Sequence, residues 1–145
     1  MKRIAMEVKK LNRVSYTCEQ TINGTIKDIM PLYCPVRELD WTENWDPKVA
    51  YSNSGLVEKD CIFITSHGDD DVVWIVTKLE IQVSPIREDK TRAVLTYSKT
   101  SLSEMGDKVL EGFTKEDYDI MMDSWEKAMN HYLITGEILT GLPNF

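Results

Sequence analysis

The stretch that most limits how this chain can fold runs from Thr114 to Gly136. Thr114-Lys-Glu-Asp117 has the form of a capping box, in which a hydroxyl and an acidic side chain three positions on satisfy free backbone N–H groups at a helix start. Gly136 is the kind of residue that ends a helix. Between them Tyr118, Met121, Met122, Trp125, Met129, Tyr132 and Leu133 recur at helical spacing and form one apolar stripe. About 21 residues at 1.5 Å each make a helix of roughly 30 Å, long enough to cross a whole sheet. Such a stripe needs a broad apolar surface to lie on. Its side chains are wide and deformable, Met and aromatics where a tightly specified core would favour Leu, Ile and Val. That suits a lining able to accept a variable guest.

The rest of the chain supplies the surface. Residues 3 to 22 read as extended, with Val14, Tyr16, Cys18, Gln20 and Ile22 alternating against Arg13, Ser15, Thr17, Glu19 and Thr21 until Asn23-Gly24 breaks the period. Residues 25 to 41 read as two short helical pieces. Thr25 caps the first, with Asp28 three residues on. Pro31 shortens it, and Pro35 suits the first turn of the second, which carries Val36, Leu39 and Trp41. Strand candidates follow at 48–53, 60–66, 71–84 and 91–101, separated by Asn53-Ser54-Gly55, His67-Gly68-Asp69-Asp70 and Glu88-Asp89-Lys90. The third candidate alternates without a turn residue and is long against the usual strand of about 3–10 residues. Ser101-Leu-Ser-Glu104 then resembles a second capping box, opening a short helix that ends near Gly112. Strand, two short helices, antiparallel meander and long helix make an α+β domain, with a curved antiparallel sheet wrapped around the C-terminal helix.

The chain has 145 residues, the length of one domain, 1–145, that can bury roughly 70% of its unfolded surface without disulfide staples. Its net charge of −7 repels phosphate backbones and anionic headgroups, which argues against nucleic-acid and membrane-surface roles. The three cysteines, Cys18, Cys34 and Cys61, form no C-x-x-C and read as free thiols. No segment approaches the ~20 apolar residues of a membrane span. These features predict a cytoplasmic protein. No P-loop, G-x-G-x-x-G, H-E-x-x-H, G-x-S-x-G or paired-cysteine zinc spacing occurs, so no cofactor or metal is expected.

The order of elements resembles the helix-grip superfamily, also called SRPBCC, which includes START domains, birch-pollen-allergen-like proteins and polyketide cyclases. Local segments resemble a bacterial-type subgroup of it: Cys34-Pro35-Val36-Arg37-Glu38 with Trp41 and Trp45, Tyr51-Ser52-Asn53-Ser54-Gly55, Val73-Trp74-Ile75-Val76-Thr77, Leu102-Ser103-Glu104 and Trp125-Glu126-Lys127-Ala128-Met129-Asn130-His131-Tyr132-Leu133. The likeness spans about residues 10 to 140. It implies a hydrophobic ligand, lipid or polyketide-like, held between sheet and long helix, with catalysis in only some members. One departure stands out. Proteins of this type carry another strand where Glu80 here runs straight into Ile81, so either a strand is lost or one long strand replaces a hairpin.

Site candidates follow. Met121, Met122, Trp125 and Met129 supply apolar contact, and Arg37, Trp41 and Trp45 guard or orient at a cavity mouth, Trp41 and Trp45 having satellite core packing as the alternative. Tyr97 and Lys99 share a face with Leu95 and Ala93, which makes them candidates for polar contact inside. A buried lysine there needs a partner or a shifted pKa. Glu19, Tyr16 and Tyr51 also lie on strands that could line the cavity. Glu38, Tyr97 and His131 are the candidates for acid–base chemistry if the chain resembles the cyclase or dehydrase branch, although His131 falls roughly 240° around the helix from Trp125 and so off the stripe. Cys34 has no base near it in sequence and reads as a small buried thiol. His67, with three acids after it, reads as a charged hairpin turn. A third reading, an interaction module resembling activators of a heat-shock ATPase, predicts a filled core and an exposed apolar patch.

Overall fold

The computed structural model describes residues 12–55, 58–67, 70–76 and 81–143. The extended reading of residues 3–11 lies outside them. Within them the chain is α+β, with two antiparallel three-stranded sheets and a long C-terminal helix.

The first sheet holds β1 (Arg13–Ile22), β6 (Lys90–Thr100) and β5 (Ile81–Arg87), in the order β1-β6-β5. β1 and β6 pair without interruption from Arg13 opposite Thr100 to Ile22 opposite Thr91. That register puts Ala93, Leu95, Tyr97 and Lys99 on the same face as Gln20, Cys18, Tyr16 and Val14. The other face is polar: Ser15 meets Ser98, Thr17 meets Thr96 and Glu19 pairs with Arg92.

The inner face is covered by α3 (Lys115–Thr135). Both sides of the Thr114–Asp117 capping box form, and Gly136 adopts the left-handed conformation at φ 73° that favours glycine. The stripe is seated as the spacing predicts, and Ser124 and Ala128 are buried with it. α3 also satisfies the open edge of β1. Glu126 accepts from Thr21 N–H, Asn130 accepts from Asn23 N–H and donates to the Thr21 carbonyl, and Gln20 donates to the Met122 carbonyl. An edge strand whose free backbone groups are taken up by a helix is protected from pairing with another chain. At its far end the helix comes so close that a Cβ on Gly24 would lie 3.4 Å from Leu133 and 3.0 Å from Ile29.

α1 (Ile26–Ile29) starts at Thr25, which accepts from Asp28 N–H, and passes into a 3₁₀ turn, Met30–Tyr33, that contains Pro31. The second piece is also 3₁₀, Arg37–Asp40. Pro35 lies in the turn ahead of it, a correction to its expected place in the first helical turn. α2 (Glu104–Gly112) is capped by Ser103, which accepts from Gly106 N–H. The expected cap Ser101 bonds Asp107 instead.

The second sheet holds β2 (Lys48–Tyr51), β3 (Ile62–His67) and β4 (Asp70–Ile75), in that order. His67 opposite Asp70 closes the expected hairpin. The continuous strand expected over 71–84 does not form. β4 ends at Ile75 and β5 begins at Ile81, in different sheets, and residues 77–80 between them lie outside the described residues. The single curved sheet wrapped around the helix is therefore corrected to two small sheets. Alternation of side chains survives such a change of partner as long as parity is kept, so the sequence pattern alone could not reveal it.

Candidate functional site

The interior between the first sheet and α3 is built from aromatic rings. Trp41 stands edge-on to Trp125 at 5.7 Å, Trp125 edge-on to Tyr97 at 6.0 Å, and Tyr97 lies 6.3 Å from Tyr118. Tyr118 continues to Tyr16 at 5.8 Å and Phe113 at 6.4 Å. Offset and edge-to-face pairs of this kind place the positive ring edge against the negative face of the neighbour. Several of the polar tips are satisfied by backbone: Trp41 Nε1 donates to the Leu32 carbonyl, Tyr118 to Leu95 and Tyr16 to Phe113.

A carboxyl and an ammonium enter this interior. Glu38 is 3% exposed and Trp41 fully buried. Both point inward because a 3₁₀ turn has three residues per turn, so positions three apart eclipse. The same rule stacks Arg37 on Asp40 outside, where they form an exposed 2.6 Å ion pair. Burial pushes the Glu38 carboxyl up to about 8, with no donor or cation among the described residues to offset it. The group is therefore mostly protonated at neutral pH, the usual response of an unpaired carboxyl taken out of water. Burial also raises the Tyr97 phenol, and the nearby Glu38 adds to the rise.

Lys99 is the second. It is half-buried on the inner face of β6, two residues beyond Tyr97. Its Nζ lies 3.8 Å from the Phe113 ring centroid and 5.6 Å from that of Trp74 on β4. Burial lowers its pKa. Lys99 therefore bridges the first sheet, the α2–α3 junction and the second sheet.

Met121, Met122 and Met129 are buried in the main core, with Trp125 packed against it. Trp45 belongs to a smaller cluster with Cys34, Val36, Cys61, Phe63, Trp74 and Val76, and its indole donates to the Pro35 carbonyl. Arg37 faces water. His131 is half-buried on α3, Tyr51 is exposed, and Glu19 is turned outward to Arg92. Cys34 is half-buried at the junction of the two 3₁₀ turns. Glu38, Tyr97, Trp41 and Trp125 are thus brought together, while Arg37, Trp45 and His131 are not part of that group. The His67 side chain lies outside the described set. Among the described residues no group of His, Cys, Asp and Glu could hold a metal ion, and no helix is long and apolar enough to cross a membrane.

A half-open groove of about 220 Å³ runs outside this interior between β1 and α3, lined by Cys18, Glu19, Gln20, Asp119, Met122, Asp123 and Glu126. Its acids are already engaged by Arg92, Lys115, Lys127 and the Thr21 amide, so it presents no free carboxylate.

Phe113 escaped the sequence reading. It precedes the Thr114 cap and packs on Tyr118, the fourth helical position, which is the hydrophobic staple that often accompanies a capping box. That spacing was the available signal. A scan against protein-family models, a search of curated proteins and a search of solved structures each find no match to the chain.

Proposed function

We propose that the chain is a diverged helix-grip module that holds a small amphipathic ligand against the aromatic interior between β1, β6 and α3. The supporting architecture is the two short helical pieces after β1, the antiparallel strands, and the long C-terminal helix seated on the first sheet. The observation that carries the reading is Glu38. A carboxyl that is 3% exposed and has no donor or counter-ion among the described residues is expensive to bury. A polar group kept in an aromatic interior without a protein partner is what a ligand's polar end would need. In this reading Trp125, Trp41, Met121, Met122 and Met129 supply apolar contact, and the protonated Glu38 donates a hydrogen bond to the guest.

Native mass spectrometry of freshly purified protein, together with fluorescence titration by N-phenyl-1-naphthylamine, tests it. A retained small molecule, or saturable one-to-one probe binding weakened by Trp125→Ala, supports the container. Protein that is empty and does not bind the probe overturns it.

One observation favours a second reading, an enzyme with a cyclase- or dehydrase-like acid–base step. A carboxyl near 8 is matched to proton transfer at neutral pH, and Tyr97 lies close enough to feel its charge. Turnover of a bound guest that Glu38→Gln abolishes while leaving its binding intact would establish it. A guest recovered chemically unchanged would count against it.

A further inference from the structure

We propose that the guest is an organic anion, a carboxylate or sulfonate on an apolar body, and that Lys99 is the residue that receives its charged head. The inference rests on the container reading above and specifies its ligand class. Three observations carry it.

The first is that Lys99 forms no ion pair with an acid among the described residues. The chain has 24 acidic against 17 basic side chains, so carboxylates are in excess. Arg37, Lys48, Arg87, Arg92, Lys115 and Lys127, all exposed to water, each have an acidic partner. Arg13, Lys27, Lys59, Lys90 and Lys108 also lack one among the described residues, but Lys99, unlike them, sits on the inner face of the first sheet, where an unpaired charge is costly.

The second is its platform. The ammonium is held over Phe113 and within reach of Trp74, aromatic rings from two different elements. Ring faces stabilise a cation without neutralising it. The site is thus fixed in position.

The third is continuity. From Lys99 the contacts run through Phe113 to Tyr118, Tyr97, Trp125 and Trp41. A charged head at Lys99 leaves an apolar body lying along that ring series. Glu38, at the Trp41 end, is kept neutral by its burial and does not cancel the lysine's field. An exposed anion-binding surface is ruled against by the overall charge of −7, which leaves a sheltered cation as the place for an anionic head.

Two probes with the same ring system decide it: 8-anilinonaphthalene-1-sulfonate, which carries a sulfonate, and N-phenyl-1-naphthylamine, which does not. The wild type is expected to bind the sulfonate about tenfold more tightly, and Lys99→Met should bring the two affinities together by weakening only the sulfonate. Lys99→Arg should keep the preference. Equal binding of both probes by the wild type, or a preference that survives Lys99→Met, overturns the assignment of an anionic guest while leaving the container standing. Failure of both probes overturns the container as well. Should Lys99→Met not fold, reductive methylation of the wild type gives the answer. Saturating sulfonate should slow modification of Lys99 and leave the surface Lys127 unchanged, and unaltered labelling of Lys99 overturns the proposal.

Discussion

The two sheets are built from similar strands but are buried very differently. The first has a 21-residue helix along its inner face and contributes Ile22, Ala93 and Leu95 to a core that includes Ile29, Leu32, Trp41, Tyr118, Met121, Met122 and Met129. The second has only Cys61 and Phe63 as the buried centre of its cluster, backed by half-buried Cys34, Val36, Trp45, Trp74 and Val76. Its other face leaves Tyr51, Val73 and Ile75 in water. Apolar burial scales with area removed from water, so most of the folding free energy sits in the helix-covered half. The second half joins the first through the 34–45 segment and the Lys99–Trp74 contact. The rings that line the candidate site belong to the stable half. The aromatic cover over Lys99 draws one ring from each.

The largest test of that contrast is a pair of tryptophans four residues apart. Trp41 is fully buried against Trp125, and Trp41→Ala should cost about 3–5 kcal/mol in urea unfolding. Trp45 is half-buried in the small cluster, and Trp45→Ala should stay within the ordinary ~0.5–3 kcal/mol of point mutants. Native-state hydrogen exchange should agree, with β3 and β4 amides opening at lower free energy than those of β1, β6 and α3. Equal costs for the two substitutions, or uniform protection across both sheets, would show a single cooperative core.

Glu38 sharpens the same contrast through pH. The folded chain holds its proton up to about 8, whereas the unfolded chain releases it near the ordinary 4.5. Between those values the folded state carries the extra proton, so stability falls as pH rises and is level on either side, with a slope of at most about 1.4 kcal/mol per pH unit. Glu38→Gln removes the ionisable group and should flatten this window, leaving the variant more stable than the wild type at pH 9. The measurement is a series of urea midpoints from pH 5 to 9. Parallel curves for both proteins would mean that Glu38 finds a counter-charge in solution.

Next in size is the helix cap. Thr114→Ala removes one half of the capping box and should cost about 1 kcal/mol, read as a lower melting temperature with an unchanged circular-dichroism spectrum. This position also marks what was legible in the sequence. The cap, the stripe, the Gly136 stop, the alternation of β1 and β6, and the hairpin turns were all local signals, and they read correctly because each depends on residues a few positions apart. The division between β4 and β5 was not readable, because strand partners are set by tertiary pairing and the alternation runs on unbroken. The inward turn of Glu38 was half readable. Adjacent Arg37 and Glu38 had to point apart, but which one entered the core followed from a period of three that neither α-helical nor strand templates contain. The Lys99 platform needed Phe113 and Trp74, which are far from it in sequence and reach it only through the fold.

The smallest expected effect comes from the open face of the second sheet. Ile62 stands opposite Ile75 and Ile64 opposite Val73, so the four side chains share one face, and Tyr51 adds to it opposite Ile62. Val73 and Ile75 are 56% and 57% exposed. Side chains that keep more than half their surface in water contribute little by burial, so Val73→Thr with Ile75→Thr should change the unfolding free energy by less than about 0.5 kcal/mol at each site, since Thr keeps the β-branched shape that strands favour. The same pair in the first sheet, Ala93 and Leu95, is fully or almost fully buried, and Leu95→Thr alone should exceed both surface changes together. A loss of more than 1 kcal/mol from the Val73 and Ile75 substitutions would mean that this face is covered in solution, by a second copy or by the chain's own remaining residues. The second sheet would then have a second core of its own.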